Sequence, residues 1–187
     1  MGDDIILHYY KKGEPTRVLR PFEFRKLINS IEKNEYKDKL EALLYSGSRY
    51  SEMRWLYENK NRLLDQSINM KNMKAKSEHA YRYIRLNNPG MRSVENYLKC
   101  KKSLPTYQTW DGNLKRWMVK AKLDPTGICC KSTRKSWESW LVVKYPHRIE
   151  EIFTSQGHEQ TTALKHYLTF PFTDDDRRDM DYYVEGW

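Results

Sequence analysis

The sequence predicts an α+β domain, mainly α-helical, with one small antiparallel β-sheet. Three observations carry that expectation. Apolar residues recur at three- and four-residue spacing over most of the chain; one stretch, 67–86, departs from that spacing; and 187 residues are enough for one domain with its own core but short for two. Residues 21–45 place Phe22, Phe24, Leu27, Ile28 and Ile31, then Leu40, Leu43 and Leu44, on one helical face. Ser46-Gly47-Ser48 interrupts the pattern and Tyr50 restarts it, so two helices are expected to meet at a bend. Ile68 and Met70, then Tyr81, Tyr83 and Ile84, fit strands, with Lys74-Ala75-Lys76-Ser77-Glu78 as the hairpin tip. Asn87-Asn88-Pro89-Gly90 reads as the turn that closes this unit. Helical spacing returns over 94–100, 113–121, 132–143, 148–155 and 161–168. Thr173 followed by three aspartates reads as an N-cap and an acidic first turn. The tail helix behind it carries Met180, Tyr183, Val184 and Trp187 on one face.

Composition narrows the function classes. The chain has 34 Lys+Arg against 25 Asp+Glu, a net charge of +9, with a pI near 9.3 and a mean hydropathy of -0.93. Six Trp and fourteen Tyr give a core something to bury, which argues against disorder. No apolar run approaches the roughly 20 residues that span a bilayer, and the opening Met-Gly-Asp-Asp is unlike a secretory signal. Cys129 and Cys130 are adjacent and Cys100 is remote, which is neither a disulfide framework nor a zinc pattern. The chain therefore reads as soluble, cytoplasmic and reduced, with a polyanion as partner and no membrane. Residues 173–187 carry six acids and two arginines, so the first 172 residues hold a net +13.

Four polar stretches stand out, and each alone has an ordinary structural reading. Ser46-Gly47-Ser48-Arg49-Tyr50-Ser51-Glu52 can be a helix-breaking turn, Lys131-Ser132-Thr133-Arg134-Lys135 the basic start of a helix, and Gly157-His158 a turn. Tyr167 can be one more core tyrosine. Their order and spacing say more. The first stretch resembles the arginine box of the tyrosine recombinases, a Thr-Gly-x-Arg-x-Ser-Glu pattern between two helices. A lysine on a β-hairpin follows in that family, then a His-x-x-Arg box opening a helix, then Gly-His, and nine residues beyond the histidine the nucleophilic tyrosine. Lys74 or Lys76, Lys131 with Arg134, Gly157-His158 and Tyr167 fall at those places. The resemblance spans about Phe22 to Phe170. The run Ser-Thr-Arg-Lys-Ser-Trp-Glu-Ser-Trp, and His166-Tyr167 before an acidic tail, are closest in wording to archaeal and archaeal-virus integrases. Lys131 stands where the family has its histidine, and the family's separate DNA-clamping domain has no counterpart in residues 1–20.

The resemblance implies a tyrosine recombinase (DNA breaking-rejoining) catalytic fold over 21–172, an N-terminal extension over 1–20, and a tail helix over 173–187 that related enzymes lend to a neighbouring protomer. It implies DNA integration or site-specific recombination at an attachment site in double-stranded DNA, by a homo-oligomer, a tetramer on DNA. The tyrosine oxygen attacks a backbone phosphate, giving a 3′-phosphotyrosyl enzyme and a free 5′-hydroxyl, and the covalent link conserves the bond energy without ATP. No cofactor or metal is called for, and the sequence offers no convincing carboxylate cluster for one. Arg49 and Arg134 would hold the non-bridging oxygens, as planar guanidiniums do for phosphate. Lys76 would protonate the leaving alkoxide, favoured over Lys74 because the small Ser77 follows it. His158 would donate to a phosphate oxygen, Lys131 would hold the phosphate or ease deprotonation of the tyrosine, and Tyr167 would be the nucleophile. Arg82, Arg85, Arg92, Lys99, Lys101, Lys102, Lys115, Arg116, Lys120 and Lys122 would track phosphates or simply form a solvated face. Type IB topoisomerase-like nicking and resealing, and a non-catalytic basic DNA-binding module, are the alternative readings.

Overall fold

The computed structural model describes residues 5–9, 13–73, 81–157 and 170–187. Its helices are α1 (Pro21–Ser30), α2 (Asn34–Ser46), α3 (Tyr50–Glu58), α4 (Asn88–Lys99), α5 (Tyr107–Lys120), α6 (Ser132–Lys144), α7 (Ile149–Gln156) and α8 (Asp174–Val184). The strands are β1 (Leu7–His8), β2 (Thr16–Arg17), β3 (Leu63–Leu64), β4 (Ser67–Lys71) and β5 (Tyr81–Arg85). The mainly helical α+β expectation therefore holds, with two antiparallel sheets, β1-β2 and β3-β4-β5, where one was expected.

Helix α6 is the centre. Trp137, Trp140, Leu141 and Val142 on it are fully buried. Trp137 meets Tyr45 of α2 edge to face at 5.5 Å, and Trp140 lies 5.1 Å from Tyr183 of α8. Trp140 also donates its Nε1–H to the carbonyl of Leu19 at 3.0 Å, and the Ser136 hydroxyl accepts the Leu19 amide at 2.7 Å. The stretch before α1, expected as an extension, is thus part of the core: Thr16 through Arg20 are all buried. A second aromatic group, Trp110, Trp117 and Tyr36, joins α5 to α2.

Three boundaries differ from the sequence pattern, each for a local reason. The 21–45 stretch is two helices, with Ile31 extended at φ -85° and ψ 123°. No glycine or proline marks the break; the apolar face lapses over 32–39, and the Ser30 hydroxyl bonds the Leu27 and Trp117 carbonyls at 2.7 and 3.0 Å. Asn87-Asn88-Pro89-Gly90 is the start of α4 rather than a turn. The Asn87 side chain accepts the Gly90 amide at 3.0 Å, and proline is tolerated in a helix's first turn. Helix α5 begins at Tyr107, six residues before the expected 113, because Thr106 caps it and Gly112 is absorbed within it.

The tail folds back on its own domain. Met180, Tyr183, Val184 and Trp187 are buried, as their spacing predicted. Arg20 and Asp176 form a buried ion pair, and the Asn87 amide donates to the carbonyls of Tyr183 and Glu185 at 2.8 and 3.0 Å. Among the described residues no helix is long and apolar enough to cross a membrane.

Candidate active site

The first box lies between α2 and α3. Gly47 ends α2 in the left-handed region at φ 55°, and a Cβ there would sit 2.4 Å from Gln156 Oε1 and 2.7 Å from Trp137 Cδ1. Only glycine fits both the backbone and the space. Two residues on, Arg49 is the N-cap residue of α3, and the Glu52 carboxylate accepts its amide at 2.8 Å, the return half of a capping box. The Arg49 side chain donates to Glu52 Oε1 at 2.7 Å and to the Gly157 carbonyl at 3.2 Å. These are its two acceptors among the described residues, against the five N–H donors of a guanidinium. Its side chain keeps 21% of its surface exposed.

Glu52 is fully buried and holds a second arginine. Arg82 Nη1 and Nη2 donate to the two Glu52 oxygens at 3.0 and 2.8 Å, and its Nε to the Ser155 carbonyl at 3.0 Å. Burial alone would raise the Glu52 pKa; the hydrogen bond and charge of Arg82, then those of Arg49, overcome it and hold the carboxyl below its usual range. Arg82, expected on a phosphate-tracking or simply solvated face, is instead buried within this cluster. The signal was present: on β4 and β5 the inward residues are Ile68, Met70, Arg82 and Ile84, and an arginine in that alternation needs a buried acid.

The second box opens α6. Arg134 is buried; its Nη1 donates to the Gly47 carbonyl at 2.8 Å, its Nη2 to the Gln156 carbonyl, and its Nε pairs with Glu138 at 2.9 Å. Burial lowers its pKa, offset by Glu138 and reinforced by the charge of Arg49. Lys135 shares Glu138 at 3.1 Å. Lys131 is exposed at the N-cap position of the helix. The geometry thus brings Arg49 and Arg134 to one place, where the C-terminal turns of α2 and α7 meet the starts of α3 and α6. Lys74, Lys76, His158 and Tyr167 lie outside the described residues.

No family model matches the chain, and no curated protein matches it. The chemistry of the site therefore stands on its own residues. Among the described residues Arg49, Arg82, Arg134 and Lys135 surround Glu52 and Glu138, four cations to two anions. The buried hydroxyls of Ser48 and Thr133, each next in sequence to one of the paired arginines, have no hydrogen-bond partner among the described residues. A cationic cluster of guanidiniums fixed by carboxylates and carbonyls is suited to an anion with several oxygens. Among the described residues, no group of His, Cys, Asp or Glu is arranged to hold a metal ion. Burial, with Asp111 nearby, pushes the Cys130 thiol up to about 12, which disfavours its thiolate.

Proposed function

We propose that the chain is the catalytic domain of a site-specific tyrosine recombinase, cutting and rejoining duplex DNA through a 3′-phosphotyrosyl intermediate. The observation that carries this reading is the pairing of Arg49 and Arg134 around the glycine-ended turns of α2 and α7. Each arginine donates to a carbonyl of those turns, and the two are close enough for the charge of Arg49 to depress the pKa of Arg134. Two such donors would hold the non-bridging oxygens of a scissile phosphate and stabilise the charge that grows there during attack. Gly157, whose carbonyl Arg49 binds, is followed in sequence by His158, so the first box and the Gly-His box are joined by a direct contact. The net +13 of residues 1–172 supplies the long-range attraction to DNA.

The reading is tested with randomised DNA duplexes carrying a single nick, which trap the cleaved strand. The expected result is a covalent protein–DNA adduct on a denaturing gel that disappears in Tyr167→Phe. An adduct that survives Tyr167→Phe moves the nucleophile elsewhere, and no adduct from the wild-type chain overturns the reading. Relaxation of supercoiled DNA without strand exchange between duplexes would identify the topoisomerase-like reaction instead.

A further inference from the structure

We infer that Arg82 is a positioning residue for this site, an inference that rests on the DNA-cleavage reading above: it holds both oxygens of Glu52, and through Glu52 it fixes Arg49. Nothing in the Arg-x-Ser-Glu box names it, and it comes from a different element, strand β5.

Its three nitrogens are all committed. Two meet the two oxygens of Glu52 and the third meets the Ser155 carbonyl of α7. At 9% exposure it is shielded from solvent, so it acts through its neighbours rather than on a substrate. The α7 side is built around it: at Gly157 a Cβ would stand 2.9 Å from Arg82 Cδ and Nε, and Ser155 Oγ accepts the Arg85 amide at 3.2 Å. Arg82 therefore joins the β5 strand to Glu52 on α3 and to the residues just before His158. A planar fork is required, because one lysine nitrogen cannot meet both carboxylate oxygens and a carbonyl in one plane.

Among the described residues the charged groups facing Glu52 are Arg82 from β5 and Arg49 from the start of α3, which bond it, and Arg134 from α6, which acts on it by charge alone. Without Arg82, burial raises the carboxyl pKa with only Arg49 left to bond the carboxylate and Arg134 acting through charge alone. A protonated Glu52 no longer accepts both the Arg49 amide and its guanidinium, and Arg49 loses its fixed position.

The experiment compares Arg82→Gln and Arg82→Lys with Tyr83→Phe, an exposed control on the same strand. Glu52 is titrated by carboxyl carbon NMR in the DNA-free protein, and adduct formation on saturating nicked duplex is followed from about pH 8 to about pH 5. In Arg82→Gln the Glu52 titration moves up, and the adduct rate falls by about 10²-fold, most steeply toward acid, with DNA affinity kept. Arg82→Lys falls between, and Tyr83→Phe matches the wild type. An unmoved Glu52 titration overturns the inference, as does a rate loss equal at every pH. A wild-type chain that forms no adduct defeats the cleavage reading, while the Glu52 titration still decides what Arg82 does.

Discussion

Arg134 Nη1 donates to the carbonyl oxygen of Gly47 at 2.8 Å, across 87 residues of sequence. That bond joins the second box to the turn of the first. It needs Gly47 to be in the left-handed region, because the same φ that ends α2 presents the carbonyl to α6. The close approach of Gln156 and Trp137 to Gly47 completes the junction.

Gly47→Ala should therefore be costly for two reasons, a disfavoured φ and a Cβ with nowhere to go. Overpacking of this kind costs about 1–3 kcal/mol. Urea unfolding is the measurement, and an alanine variant as stable as the wild type would show that the junction yields easily.

Arg134→Ala and Arg49→Ala should separate stability from chemistry. Arg134 is buried with Glu138, and removing one partner of a buried pair costs about 3–5 kcal/mol. Arg49, more exposed, should cost less. Both should slow adduct formation by about 10²–10³ while non-specific DNA binding persists. Equal stability losses in the two variants, or an unslowed reaction in either, would contradict the arrangement.

Glu52→Gln should weaken the fold in a pH-dependent way. The folded pKa of Glu52 lies below its unfolded value of about 4.3. Its charge therefore stabilises the fold above that pH, and the contribution is lost as the pH falls through the folded pKa. The stability gap between wild type and variant should be widest near neutrality and close toward about pH 3. Chemical denaturation at several pH values measures it. A gap that does not narrow in acid would mean that the charge of Glu52 contributes nothing.

The tail should be an intramolecular part of the core in the DNA-free protein. Asp176→Ala removes one member of the buried Arg20–Asp176 pair and should cost about 3–5 kcal/mol. Deleting residues 173–187 should strip cover from Phe24, Tyr45 and Trp140 and cause self-association in the ultracentrifuge. A full chain that already dimerises through the tail would show exchange between protomers.

Much of the helical framework was legible from spacing alone. The stripes of α1 and α8, the core face of α6 and the paired strands β4 and β5 follow from apolar period, which depends only on neighbours in sequence. The start of α4 and the break after Ser30 were not, because a capping asparagine and a turning serine have several local uses. The two arginine boxes could be singled out by residue type and order. That Arg49 and Arg134 meet, and that Arg82 joins them through Glu52, is a matter of burial. An ionised carboxylate inside a protein must find cations wherever the fold brings them, and no spacing within a strand says which one it will find. The sequence by itself determined the apolar helical stripes, the strands β4 and β5, the basic charge and the candidate residues; the tertiary structure alone decided which cations share one carboxylate, because that choice is made by packing between elements distant along the chain.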